Sequence, residues 1–202
     1  MTTVFLTGGS SGVGQALNKK LTALGYNVIA WTRDQLDLNN VDQVHHSKIP
    51  VVDIVINCAG HDLGGKQPWL DHKPDDWLKI INTNIIAPML ICHQALHANP
   101  TCKLINITST NNNKYYSNDL VYSLTKQALA TFGQMLAIDY PGVDLLEVQL
   151  GLTQTNFNNN RYRNNSAQWK EIYNQPCLDP NTVADNIIDA IKTNKKFIKL
   201  TI

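Results

Sequence analysis

Arginine is nearly missing from this chain: among 202 residues there are only Arg33, Arg161 and Arg163. Lysine and arginine together number 17 against 16 acids, a formal net charge of +1. So even a balance supplies no electrostatic footprint for nucleic acid or for an anionic membrane surface. The expected partner is a small molecule. The four cysteines, Cys58, Cys92, Cys102 and Cys177, form no C-x-x-C pair, which argues against a zinc knuckle or a disulfide scaffold. No apolar run approaches the ~20 residues of a membrane-spanning helix. The first strand-like residues run straight into a glycine loop, leaving no stretch for a charged start and an apolar signal core. The chain reads as soluble and cytoplasmic, and its length suits a single well-buried domain over 1–202.

Asparagine, by contrast, is abundant: 23 residues, clustered at 111–113, 158–160 and 164–165. We read these clusters as surface-loop composition. Strand-like apolar runs at 4–7, 28–31, 51–57, 104–108, 145–150 and 197–202 alternate with helical periodicity at 12–24, 75–98, 122–139 and 182–192. This order predicts a doubly wound α/β fold with a parallel sheet, Rossmann-like in plan. Between strand two and strand four the pattern is compressed. Only Arg33-Asp34-Gln35 precede Leu36-Asp37-Leu38, too few for a full crossover helix. Either the third strand is vestigial or 36–38 is a short edge piece, so the doubly wound pattern is truncated there.

The first turn reads Thr7-Gly8-Gly9-Ser10-Ser11-Gly12-Val13-Gly14 between a strand and a helix. Glycines let the backbone approach a pyrophosphate, and the helix amino terminus offers unpaired N–H groups to phosphate. Strand, turn and helix in that order point to dinucleotide binding through Gly8, Ser10, Ser11, Gly12, Val13 and Gly14. Further along come Asn57-Cys58-Ala59-Gly60, Ser109 at a strand end, and Tyr122-Ser123-Leu124-Thr125-Lys126, with Ser109 thirteen residues before Tyr122. Tyr122 and Lys126, four apart, share one helix face.

These four elements, in this order, resemble the short-chain dehydrogenase/reductase family. The resemblance implies an NADP(H)-dependent oxidoreductase interconverting a carbonyl and an alcohol. Tyr122 would be the acid for reduction and the base for oxidation, Ser109 the group that polarises the carbonyl, and Lys126 the ammonium that tunes the phenol and holds a ribose. Adding hydride to a carbonyl leaves an alkoxide, so an acid must stand within hydrogen-bond reach. A free phenol, with a pKa of about 10, needs positive neighbours to fill that role near neutrality.

The run ending at Asn84 resembles the family stretch that carries its catalytic Asn. Pro88 lacks an N–H and cannot take the Asn84 carbonyl into a helical ladder, which suits a proton relay through that carbonyl. Asn57 would brace the sheet, and Ala59 and Gly60 would pass the ribose. Past strand six, Leu150 replaces the family's Pro while Thr155 falls where its carboxamide-holding Thr stands. At the end of strand two, Thr32 occupies the place of the acid found in NAD-preferring relatives, and Arg33 follows it. A guanidinium suits a 2′-phosphate, so NADP(H) is expected, with Asp37 and Leu38 near the adenine.

Residues 153–176 should form a substrate lid. There Arg161, Arg163 and Lys170 outnumber Glu171, which fits either a polar or anionic substrate or an ordinary solvated segment. Tyr115 and Tyr116 are candidate pocket aromatics. His93 and His97 lack a third ligand, and no metal is expected. The two central helices carry Ile91, Leu96, Phe132 and Met135 beyond one core stripe, and family members pair such helices, so a homodimer or homotetramer is expected. Two other functions stay open on the same scaffold: a dinucleotide-sensing regulatory protein, and a lyase or epimerase.

Overall fold

A computed structural model describes residues 1–63, 67–112, 117–161 and 173–202. Six parallel strands form its sheet: β1 (Thr3–Thr7), β2 (Asn27–Ile29), β3 (Ile54–Asn57), β4 (Lys103–Ser109), β5 (Asp144–Leu150) and β6 (Phe197–Leu200). Their order is β2-β1-β3-β4-β5-β6. The chain thus winds outward in one direction, returns to the middle, and winds outward in the other. The reversal falls between β1 and β3, whose following helices lie on opposite faces of the sheet, and such a switch point leaves a crevice at the carboxyl ends of the strands.

Alternation along the strands sorts the core into two layers. Val4, Leu6, Ile54, Ile56, Ile105, Ile107, Leu146 and Val148 meet helices α1 (Gly12–Ala23) and, near the carboxyl end, Pro180–Lys192. Phe5, Val55 and Leu104 face the opposite way, toward the long helical stretch in the middle of the chain. That stretch, expected as one helix, is three pieces: α3 (Pro74–Ile81), a π-helical turn (Asn82–Ile86) and α4 (Ala87–Ala98). The Ala87 N–H reaches back five residues to the Asn82 carbonyl. An insertion of this kind widens a helix, and it falls at Asn84, just ahead of the Pro88 that the ladder cannot use.

Residues 36–38 are not a strand. The segment between β2 and β3 forms a single six-residue helix, α2 (Val41–His46), capped by the Asn40 side chain on the Gln43 N–H. Leu36 and Val44 are buried against the α4 side of the sheet, so the compressed link still seals the core. β2 is left as an edge strand.

Helix α5 (Leu120–Asp139) packs on β4 and β5, and α6 (Phe157–Arg161) follows β5; the carboxyl-terminal helix Pro180–Lys192 is α7. Among the described residues, no helix is long and apolar enough to cross a membrane. The apolar positions expected to lie off the core are distributed differently. Ile91 is fully buried, and Leu96 and Phe132 pack against the core, because α4 and α5 each present a broad face to the sheet. Of the four, only Met135 is exposed, and Met89, Leu124 and Ile138 are exposed with it.

Candidate active site

A cleft of about 650 Å³ opens at the carboxyl ends of the strands. Of the catalytic and cofactor-binding residues expected from sequence, all except Asn57 and Asn84 line it: Gly8, Ser10, Ser11, Gly12, Val13, Gly14, Thr32, Arg33, Asp37, Leu38, Ala59, Gly60, Ser109, Tyr122, Lys126 and Thr155. Residues spread over most of the sequence therefore converge on one crevice.

At one end stands the amino terminus of α1. Its N-cap, Ser11, is extended and makes no side-chain cap bond, so the first-turn N–H groups look into the cleft. Glycine is required around it. A Cβ on Gly14 would lie 2.2 Å from the Gly8 carbonyl oxygen. At Gly12, φ is +51° and a Cβ would meet the Thr155 methyl at 2.9 Å. A bare helix terminus beside a backbone without side chains fits a diphosphate.

Thr32, Arg33, Asp37 and Leu38 sit further along the rim. Thr32 N–H donates to Gln35 at 2.9 Å, and Asp37 accepts from the Asn39 N–H at 3.0 Å. Arg33 is exposed. Burial, with Arg33 nearby, pushes His61 down to about 4 and keeps it neutral; its Nε2 lies 3.1 Å from Thr83 Oγ1. Nothing in the sequence marked His61.

Asn57 is buried below the cleft and donates to Asn106 Oδ1 at 2.9 Å and to Cys92 Sγ at 3.3 Å. That ties β3 to β4 and α4. The Asn84 carboxamide is fully buried too. Its Oδ1 accepts the His61 N–H at 3.0 Å, and its Nδ2 donates to the His61 carbonyl at 2.9 Å and to Thr125 Oγ1 at 3.1 Å. The side chain is thereby committed to holding the π-turn against the β3 loop and α5.

Ser109, Tyr122 and Lys126 meet at the carboxyl end of β4. Ser109 hydrogen-bonds with the Tyr122 phenol. Lys126 Nζ donates to the Ile107 carbonyl at 2.9 Å and lies 5.9 Å from the Tyr122 ring centroid. A side chain at Gly60 would meet that Nζ at 3.3 Å, so glycine there leaves the ammonium accessible from the cleft. Burial pulls Lys126 down to about 8 and pushes Tyr122 up to about 12. The influences that bring the phenol down are the Arg161 guanidinium first and the Ser109 hydrogen bond second.

Arg161 does not behave as the cation of a solvated segment. It is 8 % exposed, ends α6, and pairs with Asp62 and Asp119, also buried. Tyr173, equally unmarked in the sequence, pins the neighbouring turn: its hydroxyl donates to the Thr155 carbonyl at 2.6 Å and accepts from Asn158 Nδ2 at 3.2 Å. Arg163, Lys170, Glu171, Tyr115 and Tyr116 lie outside the described residues. His93 and His97 stack edge-on with each other, and no cluster of metal-ligating side chains exists among the described residues.

Comparison with known proteins agrees with this geometry. A profile of the short chain dehydrogenase family matches residues 39–166. A probable NADP-dependent dehydrogenase of Haemophilus influenzae is 27% identical over 93% of this chain and 86% of its own. The NADP-dependent 3-hydroxy acid dehydrogenase YdfG of Escherichia coli is 25% identical over 91% of this chain and 86% of its own. Among solved structures, the closed form of serine dehydrogenase complexed with NADP+ superposes with a TM-score of 0.88, covering 98% of this chain and 94% of that one at 24% identity. With the matched segment running from α2 into the chain beyond α6 and so spanning Ser109, Tyr122 and Lys126, the chain belongs to the short-chain dehydrogenase family.

Proposed function

We propose that the protein is an NADP(H)-dependent oxidoreductase that interconverts a carbonyl and an alcohol, acting on a small molecule in the cytoplasm. The observation that carries this reading is the convergence, in one cleft, of Ser109, Tyr122 and Lys126 with the uncapped α1 terminus and, on its rim, Arg33. A dinucleotide held there would supply or accept the hydride. Gly8, Ser10, Ser11, Gly12, Val13 and Gly14 would hold its diphosphate, Ala59, Gly60 and Lys126 a ribose, and Thr155 the carboxamide.

The remaining work falls to the protein. Ser109 donates to the carbonyl oxygen and fixes it beside the phenol. Tyr122 gives its proton to the forming alkoxide, or takes one from the alcohol in the reverse direction. Lys126, brought down to about 8 by burial, would return a proton to the phenolate, and the Asn84 carbonyl, which Pro88 cannot engage, would hold a water that resupplies it. Residues 153–176 shape the substrate end, with Phe157 facing Tyr122 at 5.4 Å between ring centroids.

Arg33 decides between the two dinucleotides. Two NADP-dependent relatives support the assignment, and a guanidinium contact to a phosphate contributes roughly 1.5–3 kcal/mol, about ten- to a hundredfold in affinity. Arg33→Ala should weaken NADPH by that factor while leaving NADH nearly unchanged in a fluorescence titration. Equal losses for both would reject the role.

The exposed apolar residues on α4 and α5, Met89, Leu124, Met135 and Ile138, support a homodimer or homotetramer built on these helices. Light scattering at micromolar concentration should give a multiple of the 22.6 kDa chain mass. A monomeric mass would reject the assembly.

A further inference from the structure

Three separate parts of the chain bring charge together behind the Tyr122 ring. Asp62 follows β3, Asp119 precedes α5, and Arg161 ends α6. Arg161 Nε lies 2.7 Å from Asp62 Oδ2, and its Nη2 lies 3.3 Å from Asp119 Oδ1. The guanidinium carbon stands 5.1 Å from the Tyr122 ring centroid and 5.3 Å from that of Phe157. Asp119 uses its other oxygen to accept from Asn111 Nδ2 at 2.7 Å, and the Asn111 N–H donates to Ser109 Oγ at 3.2 Å. The network thus leaves the ring's flank and returns to the hydroxyl that bonds the phenol.

Three charges buried together are a poor device for stability alone, since desolvating them consumes most of what their attraction gives. A cation fixed beside an ionisable ring has a different use: it stabilises the ring's anionic form, and in a dry site it does so strongly. We propose that Arg161 is a positioning residue of the reaction: anchored by Asp62 and Asp119, it holds a fixed positive charge against Tyr122 that favours the phenolate. The proposal rests on the reading of Tyr122 as the acid and base.

The surroundings of the phenol agree in sign. Burial raises it, Arg161 is the largest influence that lowers it, and Asp119 and Asp62 oppose Arg161. Lys126, on α5, is further from the ring centroid than Arg161. Cys58, after β3, is pushed up to about 11 and is neutral. Burial also pushes Asp62 up to about 7. Below that pH Asp62 is protonated and, among the described residues, Asp119 is the carboxylate left to oppose the Arg161 charge at the ring. Above it, a second carboxylate joins the opposition. The triad therefore favours the phenolate most on the acidic side of neutrality.

A fluorinated tyrosine at position 122 brings the phenol titration into an accessible range, and its fluorine resonance reads ionisation with no substrate present. With Arg161→Met the midpoint should rise by about one pH unit, a tenfold change in the ionisation constant. Arg161→Lys should stay near the parent, and Asp62→Asn should lower the midpoint. With the natural tyrosine and a reducible carbonyl, the pH profile of kcat should move in the same directions while KM stays within about twofold. An unmoved midpoint in Arg161→Met overturns the proposal, as does a raised KM with an unmoved pH profile, which would make Arg161 a substrate anchor. If Arg161→Met fails to fold, the Asp62→Asn titration decides: an unchanged or raised midpoint overturns it. Tight NADPH binding without turnover of any carbonyl would defeat the proposed function instead, and the fluorine titration would still decide the role of Arg161.

Discussion

Tyr122→Phe should abolish carbonyl reduction and leave NADPH affinity within about twofold of the parent protein. The substitution removes one oxygen. The ring remains packed against Phe157, with the Arg161 guanidinium over its face, so the pocket keeps its shape. What is lost is the proton donor that bonds with Ser109. A positioned general acid contributes about 10²–10⁴-fold, and a phenyl ring has no proton to give in its place. We therefore expect kcat to fall by at least that factor in steady-state NADPH oxidation. Wild-type rates in the variant would remove Tyr122 from the mechanism.

Lys126→Met should separate stability from activity. Lys126 is 5 % exposed, and burial lowers its pKa from 10.5 to about 8. That depression corresponds to roughly 3 kcal/mol of cost in the folded state, from which loss of the bond to the Ile107 carbonyl removes about 1 kcal/mol. The cofactor-free variant should thus be about 2 kcal/mol more stable at pH 7, although turnover and NADPH affinity both fall. Between 8 and 10.5 the unfolded chain binds more protons at this lysine than the folded one, so wild-type stability rises with pH through that window. The gap between variant and wild type should accordingly be widest below pH 8 and close toward 10.5. A variant less stable than wild type at pH 7, by chemical denaturation, would mean that the ammonium is better solvated in the fold than this account holds.

Much of this site was legible in the sequence because its motifs are local. The glycine turn needs no tertiary knowledge to be read as a backbone that must approach something closely, and Tyr122 and Lys126 share a helix face by spacing alone. A parallel sheet with helices on both faces follows from the alternation of strands and helices. What single residues could not disclose were the long-range pairings. Asp62 and Asp119 are unremarkable aspartates until the fold sets both against Arg161, and the scarcity of arginine drew notice to Arg33 and Arg161 without saying that one lies on the rim and the other inside. The π-turn at Asn84 was half visible, through Pro88, but helical periodicity continues across it and conceals one inserted residue. Of the two readings of residues 36–38, the edge piece fails: Leu36 alternates with Leu38 as in a strand, yet Leu36 is buried in the α4-side core without pairing to the sheet. Ile91 and Phe132 looked surplus to one stripe because α4 and α5 bury a wider face than an isolated amphipathic helix requires.

The measurement closest to the central claim follows the hydride itself. NADPH deuterated at the transferable position of its nicotinamide is mixed with excess protein and a set of ketones and aldehydes that spans hydroxy-acid, sugar and aliphatic carbonyls, and the products are read by mass spectrometry. With at least one class of carbonyl, the wild-type protein should form an alcohol carrying deuterium at the former carbonyl carbon, and Tyr122→Phe should not. A protein that binds NADPH tightly yet leaves the deuterium in the nicotinamide across the whole set, or returns it to the cofactor with no alcohol formed, would contradict that claim.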